Sequence, residues 1–105
     1  VPRATEHKIP VMNTASANSL AAAELTLALI FGTLRQLGEA SASLKAGRWD
    51  REKFKGREVS GKTLGLLGLG NIGGIVAEKA LALGLKVVAF DPVAKPIPGV
   101  TRVSS

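Results

Sequence analysis

Three glycines and one acid hold the spacing in this 105-residue chain that points most directly to chemistry. Gly68, Gly70 and Gly73 stand in a G-x-G-x-x-G arrangement directly after the apolar run Leu64 to Leu67. Asp91 closes the next apolar run, Val87 to Phe90, at the offset of about 20 residues where a ribose-binding acid is expected. Each residue has a distinct physical task. Gly68 permits a tight turn out of a strand, Gly70 lets a pyrophosphate approach bare backbone, and Gly73 lets the following helix pack close to the strand. The N–H groups of the helix's first turn have no intrahelical acceptor, and with the positive end of the helix dipole they face the phosphates. A carboxylate at Asp91 accepts hydrogen bonds from ribose hydroxyls and repels a 2′-phosphate, which favours NAD over NADP.

A glycine turn can also serve packing without any ligand, so the surrounding elements decide its meaning. Ile72, Ile75, Val76, Ala80 and Leu83 recur at helical spacing, and Gly84 supplies a helix stop. Leu64 to Leu67 and Val87 to Phe90 are short, nearly continuous apolar runs, as expected of parallel strands covered on both faces. The stretch 62–91 therefore reads as strand, glycine turn, helix, strand, acid. The fold class that follows is α/β, a partial Rossmann-like, doubly wound parallel sheet with a long apolar helix before it.

That helix is predicted from about Leu20 to Leu37, with Asn18 or Ser19 as its cap. It is apolar nearly all round, so it must be buried nearly all round. The stretch is shorter than the ~20 apolar residues a membrane span needs, and it contains Glu24. The short strands and single further helix of this chain cannot cover every side of it. A homodimer through the helix between Asn18 and Leu37 is the expected partner arrangement. A more polar helix can continue over Glu39 to Ala46, ended by Gly47.

The remaining segments are less informative. Residues 1–8 read as irregular, Ile9 to Met12 as a short strand, and His7 as a lone histidine with no acid spaced to orient it. Trp49 and Phe54 are expected to pin a charged loop onto the helix surface. After Asp91 a proline-rich stretch excludes helix and central strand, and Val100 to Val103 suits one more short strand. A third parallel strand with its crossover helix is expected to be missing. The chain divides into a leading segment 1–17, an interface-helix region 18–46, a charged loop 47–61, the βαβ unit 62–91 and a tail 92–105. All belong to one incomplete dinucleotide-binding domain, residues 1–105.

Composition narrows the function classes. The net charge is +6, but the basic residues from Lys45 to Lys62 are interleaved with Asp50, Glu52 and Glu58, and the chain has no Tyr for stacking on bases. A solvated loop is the better reading than a nucleic-acid surface. With no cysteine and one histidine, thiolate chemistry is excluded and no metal site is expected.

Several separate stretches resemble the NAD-dependent D-2-hydroxyacid dehydrogenases. They are Ile9-Pro-Val-Met-Asn-Thr, Asn18-Ser-Leu-Ala-Ala-Ala-Glu-Leu-Thr, Ser43 to Phe54, Gly61 to Gly73, and Phe90-Asp-Pro. The resemblance implies NAD as cofactor, with Gly68, Gly70 and Gly73 forming the turn, Asn71 and Ile72 contacting the pyrophosphate and adenosine side, and Asp91 binding the ribose. It implies that the long helix lies in a dimer interface. It also implies oxidation of a D-2-hydroxy acid, with D-3-phosphoglycerate, at the start of serine biosynthesis, the expected substrate. The family's catalytic arginine, glutamate and histidine have no counterpart here, so no residue of this chain is expected to be catalytic. The alternatives are a non-catalytic NAD-sensing or dimerisation module, and a relative of the glyoxylate/hydroxypyruvate reductase type. Two departures stand out. Asn71 takes a position where many relatives carry Arg, and Gly74 adds a second glycine to the helix start at a cost of up to ~1 kcal/mol.

Overall fold

Glycine stops and apolar runs set the elements. In the computed structural model, which describes residues 1–14 and 16–104, these are α1 (Pro2–Glu6), α2 (Ser19–Leu34), α3 (Leu37–Lys45), β1 (Thr63–Leu67), α4 (Asn71–Ala82), β2 (Lys86–Phe90) and β3 (Val100–Arg102). Helix α4 ends as the sequence predicts. Gly84, at φ +81°, lets its own N–H donate to Leu81 O and the N–H of Leu85 donate to Ala80 O. Gly47 ends α3 in the same way, with Gly47 N–H on Leu44 O and Arg48 N–H on Ser43 O.

The apolar helix does not run on without a break. Arg35 closes α2, Gln36 takes the left-handed conformation at φ +53°, and α3 leaves at 63° to α2. The charged loop 47–61 docks on this elbow. Arg57 N–H donates to Leu34 O at 2.8 Å. A Cβ on Gly56 would stand 2.6 Å from that same oxygen, at a backbone φ of +62°. The bend is thus a tertiary product of a distant glycine, and it leaves no single helix long and apolar enough to cross a membrane among the described residues. At the other end of α2, Asn18 is the N-cap but its side chain makes no capping bond, while Ser19 is buried.

The sheet is three-stranded, all parallel, in the order β1-β2-β3. Thr63 pairs with Lys86 and Leu67 with Phe90, while Val87 pairs with Val100. The short strand expected at Val100 to Val103 is present as β3, and it pairs in parallel with β2, so the third parallel strand expected to be missing is supplied within the chain. Its crossover contains no helix. Residues 91–99 cross as an irregular, proline-rich strap, and Ala94 and Ile97 pack on the core in place of a helix. The core is Val59, Leu69, Ala77, Ala80, Leu85, Val87 and Ala89, joined by Ile30, Phe31 and Leu34 from α2. Ala77 and Ala80 are fully enclosed, and their small side chains let α4 sit close to its neighbours.

Other expectations also change. β1 is not covered on both faces, and Leu67 at its end is 93% exposed. Ile9 to Met12 is exposed irregular backbone rather than a strand, because no neighbouring strand pairs with it and Pro10 lacks a donor. The supposedly irregular start instead contains α1, with Pro2 in its first turn. Trp49 is 79% exposed and not part of the core, although it borders a cavity shared with Phe54, Ala40 and Leu44.

The result is an elongated body of 63 × 33 × 23 Å with a radius of gyration of 19.1 Å, against about 13 Å for a compact chain of this length. Its accessible surface is 8051 Å², against roughly 5,500 Å² for a compact monomer of this mass. Leu20, Leu25 and Leu29 of α2 lie exposed within that excess.

The glycines separate into two kinds that denaturant unfolding can tell apart. Gly56→Ala should cost at least about 1–3 kcal/mol, from left-handed strain and the clash with Leu34 O. At Gly74 an added Cβ meets only Ile97 Cδ1 at 3.7 Å, so Gly74→Ala should leave stability unchanged or raise it by about 0.5–1 kcal/mol.

Candidate dinucleotide site

The predicted site residues converge at the carboxyl ends of β1 and β2, where ligands bind in open parallel sheets. Gly68 leaves β1 at φ +98°, and its N–H donates to Phe90 O at 2.8 Å, so the first glycine extends the β1–β2 ladder by one rung. A Cβ on Gly73 would lie 2.3 Å from Gly68 O. Only a hydrogen fits there, and that contact holds the first turn of α4 against the strand end. Gly70 differs from both. It is the N-cap of α4, and a Cβ built on it meets nothing within 4 Å.

These observations suit a phosphate. The space in front of Gly70 is open, so its missing side chain serves no contact within the chain. No side chain caps α4, and its first turn contains no acid. The N–H groups of Asn71, Ile72 and Gly73 occupy positions that have no intrahelical acceptor. Asn71 and Ile72 are both exposed at this end, so an incoming pyrophosphate finds these donors and the positive end of the helix dipole. Asn71 supplies a neutral amide there, without the charge an arginine would add.

Asp91 has a task that its spacing did not reveal. Its Oδ2 accepts the N–H of Leu69 at 2.7 Å, directly inside the glycine turn. Its Oδ1 accepts the N–H groups of Val93 at 2.9 Å and Ala94 at 2.8 Å, forming a tight turn at the start of the strap. A carboxylate offers about four lone-pair directions. Three are filled by backbone, and one on Oδ2 remains for a ribose hydroxyl. The acid therefore ties the turn to β2 and keeps acceptor capacity for a ligand. The Leu69 N–H, then those of Val93 and Ala94, hold its carboxyl below the ordinary value of 3.8, with a smaller contribution from the positive charge of Arg102 and partial desolvation opposing.

Arg102 was not among the sequence candidates. From the end of β3 it donates through Nη1 to Ala94 O at 2.9 Å and through Nη2 to Asp91 O. No motif marks it, because its position depends on the register of a short strand beyond an irregular strap. His7 ends α1, exposed, with no hydrogen-bond partner for its side chain among the described residues. No group of three or more His, Asp or Glu that could hold a metal occurs among the described residues. The cavity bordered by Trp49 contains none of the glycine-turn residues. Its buried Ser43 donates to Asp50 Oδ2 at 2.9 Å, beside Arg48 and Lys53, a polar cluster satisfied within the chain.

Residues 27–104 match the family model described as D-isomer specific 2-hydroxyacid dehydrogenase, NAD binding domain. A D-3-phosphoglycerate dehydrogenase from Rattus norvegicus is 52% identical over 93 residues, covering 89% of this chain and 17% of the rat protein. A hydroxypyruvate reductase from Thermotoga maritima is 48% identical over 96 residues, covering 91% of this chain and 31% of that protein. Among solved structures, the TT0316 protein from Thermus thermophilus superposes with a TM-score of 0.89 at 38% identity, covering 98% of this chain and 34% of that one. The chain thus spans about a sixth of the rat relative and a third of the others.

Two outcomes follow from this geometry. Gly73→Ala should destabilise the fold by about 1–3 kcal/mol, because a helix and a strand end must separate to admit the methyl group. Asp91 has a lowered folded pKa, so its contribution to stability is full above 3.8 and is lost as pH falls through the lower folded value. In denaturant midpoints measured from about pH 6 to 2, the gap between wild type and Asp91→Asn should be widest at the upper end and close at the lower.

Proposed function

We propose that this chain, which belongs to the D-isomer specific 2-hydroxyacid dehydrogenases through their NAD-binding domain, binds NAD at its glycine turn in an oxidoreductase that acts on a D-2-hydroxy acid. D-3-phosphoglycerate is the substrate we favour, on the identity to the rat enzyme, and serine biosynthesis is the corresponding route. The single observation that carries cofactor binding is the pair Gly73 and Gly70. One glycine is demanded by a contact with Gly68 O, while the other faces open space beside an uncapped helix end.

NAD, when bound, supplies the hydride acceptor. The residues of this chain hold and orient it. The N–H groups at the start of α4 take the pyrophosphate, and the free lone pair of Asp91 Oδ2 takes a ribose hydroxyl. No residue of this chain is assigned a proton or hydride step. A hydroxypyruvate reductase role is the second reading, supported by the Thermotoga relative at similar identity.

The protein in this proposal is a homodimer. The support is the apolar surface that α2 leaves uncovered within the chain, at Leu20, Leu25 and Leu29. We place it in the cytoplasm, a location compatible with a cysteine-free chain.

Calorimetric titration with NAD tests the cofactor reading. Saturable binding is expected, weakened about tenfold or more in Asp91→Ala, the loss of one charge-assisted hydrogen bond with some loosening of the turn. A folded protein that shows no NAD binding would sink the proposal. Light scattering at micromolar concentration should report twice the monomer mass, and a monomer there would remove the dimer.

A further inference from the structure

We propose that the uncovered face of α2 is seated on by the α2 of a second copy of this chain, crossing it antiparallel about a two-fold axis level with Leu29, in a register set by Glu24 of each copy meeting the partner's Arg35. The inference rests on the homodimer reading and deepens it, by assigning the direction and the register of the contact.

Glu24 is the one charged residue within α2, and Arg35 is the residue that closes it. Both are exposed, and neither forms an ion pair among the described residues. Their separation in sequence amounts to about three turns plus 20° at 3.6 residues per turn, so the two charges stand on one face, about 16 Å apart along the axis. Leu25, Ala28 and Gly32 lie between them on that face, Leu25 and Ala28 exposed and Gly32 half-buried. A glycine weakens a helix relative to alanine, so Gly32 calls for a reason. The chain itself offers none. A Cβ built on Gly32 meets nothing within 4 Å, and the space opens into a groove between α2 and α3 that Ala28 and Gly38 also line.

Two copies related by a two-fold axis present the same face to each other, so that residue i meets residue j and j meets i. The charges then decide between the possible pairings. Parallel helices would set Glu24 against the partner's Glu24 and Arg35 against the partner's Arg35, two like-charge contacts that work against association. Antiparallel helices reverse this. With the axis level with Leu29, Glu24 and the partner's Arg35 come within about 1.5 Å of the same height along the helices, and so do Leu25 and the partner's Gly32. Both contacts occur twice. Each exposed leucine thus enters the space left by a glycine, between ion pairs at the two ends of the stripe. Moving the axis about half a turn toward Ser19 would instead oppose Leu25 to the partner's Leu29 and draw the charges about 7 Å apart. The ion pairs and the glycine select the same register independently.

The test is sedimentation equilibrium of the full-length protein over a dilution series, for wild type, Glu24→Arg, Arg35→Glu and the double variant that carries both changes, with circular dichroism to confirm folding. Each single reversal turns two attractions into two repulsions and should raise the dimer dissociation constant about tenfold or more. The double variant restores both pairs with their signs exchanged. Its dissociation constant should return to within about threefold of wild type, a rescue that separate structural roles for the two residues would not produce. Single reversals that leave dissociation unchanged would overturn the proposal. So would a folded double variant that dimerises no better than either single one. If the wild type is a monomer throughout the series, the homodimer reading itself falls, and this inference with it.

Discussion

The structure depends on one close approach, that of Gly73 to the carbonyl of Gly68. At 2.3 Å from an ideal Cβ position to the oxygen, the contact admits no side chain at all. It places the start of α4 directly over the end of β1, and three consequences follow from that placement. The unpaired N–H groups of the helix's first turn point outward beyond the sheet. Leu69 is carried into the core with its N–H turned toward the end of β2. Ala77 and Ala80, one and two turns further along, are brought down among Val59, Val87 and Ala89. The glycine turn and the hydrophobic core are therefore settled by the same steric constraint.

The second layer is electrostatic, and it joins parts of the chain that are distant in sequence. Asp91 gathers N–H groups from the glycine turn and from the strap, and Arg102 gathers the carbonyls of that same strap. Where related topologies use a crossover helix to cover the sheet, a proline-rich strap does so here. The strap has few backbone hydrogen bonds of its own, and two charged side chains supply the fastening. Both side chains stand at the carboxyl edge of the sheet, the edge along which open parallel sheets take their ligands.

Helix α2 is the opposite case, an element whose sequence asks for more burial than the chain supplies. Its last turns, through Ile30, Phe31 and Leu34, join the core beside α4. Leu20, Leu25 and Leu29 remain at the surface. The elbow at Gln36 turns α3 away from the axis of α2 and commits Gly56 and Arg57 to sealing the bend. The polar loop between α3 and β1 thereby becomes a structural brace, with its charges in solvent and its glycine against backbone.

Local patterns determined the βαβ unit, its glycine turn, the ends of α3 and α4, and the acid at the close of β2, because each is set by residues within one or two turns of each other. A glycine at a left-handed position or a period of 3.6 acts over a few residues and is legible without a partner. What the tertiary structure alone decided depends on distant pairing. The bend between α2 and α3 is sealed by Gly56 meeting Leu34, and the place of the third strand in the sheet required Val100 to find Val87 across a strap with no pattern of its own. The exposure of Leu67 and Trp49 followed from which faces found cover. The double use of Asp91 and the placement of Arg102 belong to the same class. Sequence spacing names an acid and says nothing about which backbone N–H groups will reach it, since hydrogen bonds across 22 residues are fixed only when the sheet register is.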